Sequence, residues 1–287
     1  MPEVIILLKD ITKRYKDFSL YNITLSVEKG ETLLLVGSNG AGKSTLIDII
    51  AGVVNYDKGS LNIFGKELSK LSDAERQKIG MIRDEILFPE DLRVGLFLKS
   101  VALLYKNWNS QKMEELLKKF NIDRTKKIKN LSKGMKMKLW VVIALSHAAE
   151  IMLLDEPFLG LDVTSKKDFI EILKQLKINK STIILSTHEY DNVENLCDRI
   201  LFLVNGKVYY NGELKDFLST WTRVEFYDKK PPLPKLAIFK ESKEDNRTIL
   251  LINKNIDIVK NNFDFLNEDV LISKMTLKEI ITNISAG

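Results

Sequence analysis

Cysteine is almost absent from this 287-residue chain, which contains one, Cys197. A single thiol excludes an internal disulfide framework and is typical of a reducing compartment. Long apolar runs are also missing, since no segment reaches the roughly 18 apolar residues of a membrane-spanning helix. The N-terminal run in "MPEVIILLKD" is too short for a signal peptide and has no basic leader. We therefore expect a cytosolic protein with a sizeable core.

Positive charge is in slight excess, with a net charge of +5, and it is concentrated in one segment. Residues 106–138 contain eleven basic and three acidic residues, a balance of +8 that leaves −3 for the rest of the chain. Such a segment can contact nucleic acid, lipid head groups or phosphate, although lysine-rich stretches are more often solvated helical faces. The stretch "KNLSKGMKMKLW" at 129–140 is open to both interpretations on charge alone.

Strand-like and helical segments alternate along most of the chain. The β-rich "EVIILLKDIT" and "LYNITLSVE" precede the buried-strand run "ETLLLVG", the helical "KSTLIDIIAG" and the hairpin-like "GSLNIFGKEL". Strand patterns return in "EIMLLDEP", "STIILSTHE" and "RILFLVNGKVYYNGE", with helical "TSKKDFIEILKQLK" between the first two. This alternation predicts an α/β fold with a mostly parallel sheet. For the β-rich N-terminal segments we expect an antiparallel β subdomain.

Two further regions depart from that alternation. Residues from about Leu71 to Glu150 are helical in pattern, and "NSQKMEELLKKF" is an amphipathic helix with Asn109 as its predicted N-cap. We expect a helical subdomain inserted there, within a main domain of 1–215. In a small α+β extension, 216–287, we expect strands in "TILLIN" and "DVLISKM", a helix in "TLKEIITNI" and a linker in "DKKPPLPK".

The segment "GSNGAGKST" matches the phosphate-binding loop pattern of P-loop NTPases and stands between an apolar strand and a helix. Its glycines let backbone N–H groups turn toward phosphate oxygens, and the helix N-terminus faces the same anion. Lys43 can reach the β and γ phosphates, and the hydroxyl of Ser44 can bind Mg²⁺. The predicted nucleotide-binding residues of this loop are Gly37, Ser38, Asn39, Gly40, Ala41, Gly42, Lys43, Ser44 and Thr45.

Acidic and histidine side chains follow two other predicted strands. "IMLLDEP" contains Asp155, which can hold the Mg²⁺ shell, and Glu156, which can polarise an attacking water. "TIILS" leads to His188, a candidate contact to the γ-phosphate near the same sheet edge, whereas the second histidine, His147, is interpreted as structural. We predict a catalytic group of Lys43, Glu156 and His188.

The order of these and shorter motifs resembles that of the nucleotide-binding subunit of ATP-binding cassette (ABC) transporters. "LSKGM" at 131–135 resembles the family signature, "GLD" with Asp162 the loop that joins two subunits, and "STHE" with His188 the switch histidine. "KRYKD" with Tyr15 resembles the aromatic loop that stacks on adenine. The resemblance extends over about residues 3–215, three quarters of the chain.

Three departures from the family pattern bear on the site. The family's glutamine between core and helical subdomain is replaced by Asp84 in "IGMIRDE"; an ionised carboxylate can bind Mg²⁺ but cannot donate as an amide does. In the signature, Lys133 and Met135 replace a glycine and a glutamine. In "DEPFLGLD", small or polar residues are replaced by Phe158 and Leu159.

The resemblance implies an ATPase whose subunits, identical or sibling, pair head to tail. ATP would lie between the phosphate loop of one subunit and Ser132 and Gly134 of the other, with Mg²⁺ held by Ser44, Asp84 and Asp155. ATP binding would close the dimer and hydrolysis would reopen it, which would drive a separate membrane permease by rigid-body motion. The resemblance thus implies a peripheral location on the cytoplasmic face of the cell membrane. The apolar segment "DEILFPEDLRVGLFLKS" would bind a coupling helix of the permease. For each of its residues, a place in the core of the helical subdomain is an equally good interpretation.

Two other functions stay open. A soluble ABC-type ATPase acting on ribosomes or nucleic acid would have two cassettes or a long coiled coil, whereas this chain has one phosphate loop and no sustained heptads, so we expect no nucleic-acid partner. Asp84 leaves room for a regulator that binds nucleotide without hydrolysis, although Lys43, Asp155 and Glu156 are intact. The ending "SKMTLKEIITNI" resembles the "TLED(V/I)F" ending of bacterial ABC-2-type exporter subunits, which implies export.

Overall fold

The computed structural model describes residues 3–83, 88–227, 238–244, 247–254, 256, 257, 259 and 270–285. The chain divides into two units, 1–211 and 212–287, and each has a hydrophobic core of its own. The strands are β1 (Val4–Arg14), β2 (Ser19–Glu28), β3 (Thr32–Val36), β4 (Lys58–Ile63), β5 (Lys66–Glu67), β6 (Ile79–Ile82), β7 (Ile151–Asp155), β8 (Thr182–Ser186), β9 (Arg199–Val204), β10 (Lys207–Glu213), β11 (Thr222–Tyr227), β12 (Ile238–Glu244), β13 (Arg247–Ile252) and β14 (Val270–Lys274).

The described helices are mostly short and lie between these strands. They are α1 (Lys43–Ala51), α2 (Asp73–Arg76), α3 (Val94–Ala102), α4 (Ser110–Lys119), α5 (Lys133–Ser146), α6 (Val163–Ile178), α7 (Tyr190–Val193), α8 (Leu214–Ser219) and α9 (Leu277–Ser285). No helix among the described residues combines the length and the hydrophobicity that crossing a membrane requires.

The first unit contains an antiparallel sheet and a larger, mostly parallel one. The antiparallel sheet has the order β2-β1-β4-β5, and the larger sheet has the order β10-β9-β3-β8-β7-β6. Every residue of β3, β7 and β8 is buried, which explains why these strands are continuous apolar runs rather than alternating ones. Strands β3, β7 and β8 run parallel, so the loops that follow them meet at one edge of the sheet. The predicted α/β fold is confirmed.

The helical part of the first unit surrounds a separate apolar cluster built from α3, α4 and α5. Asn109 caps α4 as predicted, since its side-chain oxygen accepts a hydrogen bond of 2.9 Å from the N–H of Lys112. The helical pattern predicted from Leu71 onward was wrong for Ile79–Ile82, because this segment is β6 and pairs in parallel with β7 at the sheet edge. The helical insertion therefore follows β6.

The second unit is built on an antiparallel sheet with the order β12-β13-β11-β14. One face of this sheet carries the cluster of Val224, Phe226, Leu250 and Ile252. The strands predicted in "TILLIN" and "DVLISKM" are β13 and β14, and the predicted terminal helix is α9. The predicted linker "DKKPPLPK" lies outside the described residues, so it stays a prediction.

Candidate active site

The phosphate loop connects β3 to α1, and the fold itself requires glycine at two of its positions. A Cβ at Gly37 would lie 2.5 Å from the carbonyl oxygen of Leu203. Gly42 has a φ of 103°, and a Cβ there would lie 2.4 Å from Cδ2 of Leu20. A Cβ at Gly40 would meet no atom within 4 Å, so this glycine faces open space. The loop backbone is therefore closely packed at Gly37, against the backbone of Leu203, and at Gly42, against the side chain of Leu20. Between them, at Gly40, the loop is open.

Lys43 is the first residue of α1 and is buried, with 7% of its surface exposed. Its Nζ donates hydrogen bonds to the carbonyl oxygens of Gly37 (2.9 Å) and Ser38 (3.2 Å), so the side chain folds back across the loop. Burial lowers the pKa of Lys43, and the negative charges of Glu156 and Asp155 oppose this effect. The lysine thus connects the loop electrostatically to the end of β7.

Asp155 ends β7 and is buried, and its Oδ1 accepts a 2.5 Å hydrogen bond from the hydroxyl of Ser186 at the end of β8. Glu156 follows with a φ of 49°, in the left-handed region that glutamate rarely adopts. Its N–H donates to the carbonyl oxygen of Ser186 (3.1 Å) and also lies 3.2 Å from the Oγ of that serine. The two strand ends thus lock an uncommon backbone conformation that turns Glu156 away from the sheet.

His188 lies two residues beyond β8 and faces Glu156. Its backbone N–H donates to Oε2 of Glu156 (3.3 Å), and its Nε2 lies 3.2 Å from Oε1. That contact does not satisfy hydrogen-bond geometry, so Oε1 is a buried acceptor without a donor among the described residues. Burial raises the pKa of the Glu156 carboxyl, and the charges of His188 and Lys43 oppose this effect.

These side chains share a cavity of about 530 Å³. Its wall includes eight of the predicted site residues: Asn39, Gly40, Gly42, Lys43, Ser44, Thr45, Glu156 and His188. The predicted residues Gly37, Ser38, Ala41 and Asp155 are not among the residues that line the cavity. Sequence reasoning did not assign a site role to three further wall residues, Phe18, Leu159 and Glu189. The structure therefore brings the loop, the carboxylate and the histidine together.

The aromatic residue on the cavity wall is Phe18, whereas the predicted Tyr15 is not part of that wall. Tyr15 is 46% exposed, and its ring lies 6.5 Å from that of Phe18 at an angle of 24°. Cζ of Phe18 would be 2.7 Å from a Cβ at Gly42, so Phe18 also packs on the phosphate loop. The signal that could have identified Phe18 is a second aromatic residue in "KRYKDF".

The signature segment begins α5 and lies outside the cavity wall. Ser132 caps the helix, since its Oγ accepts a 3.2 Å hydrogen bond from the N–H of Met135. Gly134 packs against α6, where an added Cβ would lie 2.3 Å from Oγ of Ser165. Packing within its own chain therefore already requires glycine at position 134, whether or not phosphate approaches it.

The lysines of the signature helix are mostly paired rather than solvated. Lys136 lies 3.0 Å from Glu90, and Lys138 lies 2.6 Å from Asp168. Each of these two lysine side chains is only 19% exposed, so the interpretation as a solvated helical face does not hold for them. Lys133 instead packs over Gly160, since its Nζ would lie 3.1 Å from a Cβ at that glycine.

The two apolar departures in "DEPFLGLD" have different surroundings. Phe158 is fully buried, and the centroid of its ring lies 5.4 Å from that of Phe169 in α6, so it belongs to the core. Leu159 is 55% exposed and lies on the cavity wall. Asp162 caps α6, because its Oδ1 accepts a 2.9 Å hydrogen bond from the N–H of Ser165.

The residues predicted to hold Mg²⁺ fit an oxygen-binding cation. Ser44 lies on the cavity wall, and the carboxylate of Asp155 is close enough to act on the charge of Lys43. Hydroxyl and carboxylate oxygens are ligands that Mg²⁺ prefers, and the ion usually takes others from phosphate and water. Among the described residues, no group of three His, Cys, Asp or Glu side chains is placed to hold a metal ion by itself. Asp84 lies outside the described residues, so its role stays a prediction.

Comparisons with known proteins point to one family. The sequence model described as "ABC transporter" matches residues 20–159. An uncharacterized ABC transporter ATP-binding protein of Methanocaldococcus jannaschii is 32% identical over 93% of this chain and 97% of its own length. The linearmycin resistance ATP-binding protein LnrL of Bacillus subtilis is 34% identical over 74% of this chain and 70% of its own length. The methionine import ATP-binding protein MetN of Clostridium tetani is 31% identical over 73% and 69%, respectively.

A solved structure extends this likeness to the fold. The ATP-binding subunit of an ABC transporter superposes with a TM-score of 0.67 at 30% identity, over 74% of this chain and 91% of that chain. The matched share corresponds in size to the first unit rather than to the whole chain.

Proposed function

Because this chain belongs to the ATP-binding subunits of ABC transporters, which hydrolyse ATP to drive transport, we propose that its cavity is the ATP site and that the residues on its wall perform the hydrolysis. The observation that carries this proposal is the meeting of Lys43, Glu156 and His188 in one cavity at the N-terminus of α1. Each comes from a different strand end, and that sheet edge is where α/β folds bind ligands.

The phosphate groups of ATP would lie along the loop. Backbone N–H groups around Gly40 and the positive end of α1 would face phosphate oxygens. Lys43 would exchange its hydrogen bonds to Gly37 and Ser38 for bonds to phosphate, so the cost of its burial is offset by a stronger partner. Ser44 and Asp155, with Asp84, would hold Mg²⁺, which when bound neutralises developing phosphate charge.

Glu156 would orient and polarise the attacking water. Its Oε1 is a buried acceptor with no hydrogen-bond donor among the described residues, and a water O–H would supply that donor. His188 lies beside it with Nε2 at 3.2 Å, and it is exposed enough to contact the γ-phosphate from the same side. The aromatic ring of Phe18 is available for the base, and Tyr15 stacks behind it.

A second subunit would complete the site. Ser132 is exposed at the start of α5 and lies outside the cavity wall of its own chain, so it is available to the nucleotide of a partner chain. Gly134 is buried against α6, and its backbone at the same helix start would face that nucleotide. Head-to-tail pairing of two such chains, identical or sibling, would place each signature helix N-terminus opposite a phosphate loop. Closure on ATP and release after hydrolysis would then drive a membrane permease from the cytoplasmic face of the membrane.

We assign the chain to export. The supports are the "TLKEIITNI" ending, which resembles that of bacterial ABC-2-type exporter subunits, and the likeness to a linearmycin resistance protein. Import is the competing direction, since a methionine import protein is similar to a comparable degree.

Reconstitution with the permease in proteoliposomes tests both the function and the direction. External Mg-ATP energises only complexes whose ATP-binding subunits face outward. An exporter then concentrates the transported compound in the lumen, whereas an importer empties a preloaded lumen. Loss of preloaded compound would overturn export. Sedimentation of the chain with ribosomes instead of membranes would overturn the transport function in favour of a soluble ABC-type ATPase.

A further inference from the structure

The chain has two histidines, and each lies beside a tyrosine in a different geometry. His147 is buried and stacks on Tyr105 with ring centroids 4.1 Å apart and planes at 10°. Its Nδ1 has no hydrogen-bond partner among the described residues. The ring of His188 instead meets that of Tyr190 edge-on, at 69°, and its Nδ1 lies 3.4 Å from the tyrosine hydroxyl. Only the second tyrosine therefore presents its hydroxyl to an imidazole nitrogen.

Tyr190 is a buried neighbour of a more exposed ring. It is the first residue of α7 and is 6% exposed, whereas the His188 side chain is 46% exposed. Burial, with a contribution from the charge of Glu156, raises the pKa of Tyr190 to about 12, so the phenol keeps its proton and can donate it. The separation of 3.4 Å is long for a hydrogen bond, and such contacts often shorten when an active site binds its ligand.

The opposite nitrogen of His188 faces a carboxylate. Its Nε2 lies 3.2 Å from Oε1 of Glu156. A neutral imidazole carries one N–H and one lone pair. With the proton on Nδ1, the Nε2 lone pair would face a carboxylate oxygen, which is repulsive. With the proton on Nε2, that repulsion is absent and the Nδ1 lone pair faces the hydroxyl of Tyr190, so both neighbours favour the same tautomer.

We infer that Tyr190 is a positioning residue that holds His188 in the tautomer with the proton on Nε2. The N–H that faces the cavity is then a donor before nucleotide arrives, and the γ-phosphate meets a donor rather than a lone pair. This inference rests on the proposed contact of His188 with the γ-phosphate, but the tautomer itself can be measured without nucleotide.

Nitrogen–proton correlation spectra of the ¹⁵N-histidine-labelled full chain test the inference directly, since two imidazoles give a readable spectrum. At a pH where the rings are neutral, we expect His188 in the Nε2–H form in the wild type and a mixture of tautomers in Tyr190→Phe. Tyr105→Phe is the matched control and should change the signals of His147 alone. An unchanged His188 tautomer in Tyr190→Phe would overturn the inference.

Turnover separates the hydroxyl from the ring. Tyr190→Phe should lower kcat for ATP hydrolysis by roughly threefold to tenfold, the effect of one hydrogen bond, with KM nearly unchanged. Tyr190→Leu also removes the packing, so a loss seen only in that variant, with a normal kcat in Tyr190→Phe, would contradict a role of the hydroxyl. His188→Ala tests the proposed function separately: full activity there would remove the role of His188, whatever its tautomer.

Discussion

The phosphate-loop half and the signature half of the site are built in opposite ways. In the first half, Lys43 and Asp155 are buried, and Lys43, Glu156 and His188 lie on the wall of one cavity. In the second half, Ser132 is exposed at a helix start and lies on no part of that cavity wall. This difference supports the proposal that the signature of one chain completes the nucleotide site of another.

Electrostatics shows the same contrast. Lys43 is a buried cation whose charge is stabilised by Glu156 and Asp155, so it belongs to a network that a phosphate can enter. Lys136 and Lys138 are already paired with Glu90 and Asp168, which lie outside the signature helix. The positive charge therefore lies beside the carboxylates of the cavity in the first half and is paired with acidic side chains outside the cavity in the second.

Removing the carboxylate of Glu156 should have the largest effect. We expect Glu156→Gln to bind ATP and to lower kcat by about 10²- to 10⁴-fold, because it loses the group that polarises water. The variant should accumulate a closed dimer with Mg-ATP, visible by size-exclusion chromatography. Glu171→Gln, a surface change on α6, is the control. Normal hydrolysis by Glu156→Gln would show that another group is the base.

Removing the amine of Lys43 should weaken binding by a smaller factor. We expect the Kd of Lys43→Ala for ATP to rise by about 10- to 100-fold, as for loss of a charge-assisted hydrogen bond to phosphate. Calorimetric titration measures this, with Lys174→Ala on the surface of α6 as control. An unchanged Kd would contradict the assignment of the phosphate loop.

A methyl group added at Gly134, in the signature half, should lower the stability of the fold. We expect Gly134→Ala to lower the free energy of unfolding by about 1–3 kcal/mol, because its Cβ would lie 2.3 Å from Oγ of Ser165. The double variant Gly134→Ala with Ser165→Gly should recover part of that loss in chemical denaturation. Equal stability of wild type and Gly134→Ala would mean that the two helices separate without cost.

His147, at the C-terminal end of the signature helix, should make the stability of the fold depend on pH. Burial lowers the pKa of His147 below its usual 6.5. The unfolded chain therefore takes up a proton first as the pH falls, and the stability that is present above about pH 6.5 is lost below it. His147→Phe should lose less stability on acidification than wild type does. Parallel curves of unfolding free energy against pH would contradict this.

The strand, loop and helix of the phosphate-loop half were predicted correctly because they lie in contiguous motifs. A buried strand, a glycine loop and a helix start follow one another from Thr32 to Ala51, and backbone geometry requires that order. The four-residue strand β6 was missed because it is short and lies at the sheet edge. The pairing of Lys136 and Lys138 was also missed, because their partners lie 46 and 30 residues away in sequence.

The aromatic contact shows the same limit. Tyr15 fits the family pattern by position, yet Phe18 is the residue whose ring packs on the loop at Gly42. The two rings are three residues apart on a tight turn, and the conformation of that turn decides which ring faces the cavity. The spacing of apolar residues in the sequence contains no information about that conformation. The turn is closed by a 2.7 Å hydrogen bond from the N–H of Tyr15 to the carbonyl oxygen of Phe18.

Mixing two disabled variants tests most directly whether one chain can complete its own site. Lys43→Ala removes the phosphate-loop half, and Ser132→Arg blocks the signature half. Each alone should be inactive, but a mixed dimer keeps one intact site, so an equimolar mixture should recover about a quarter of wild-type ATP hydrolysis on random pairing. A mixture no more active than its separate components, or full activity of Ser132→Arg alone, would contradict the account.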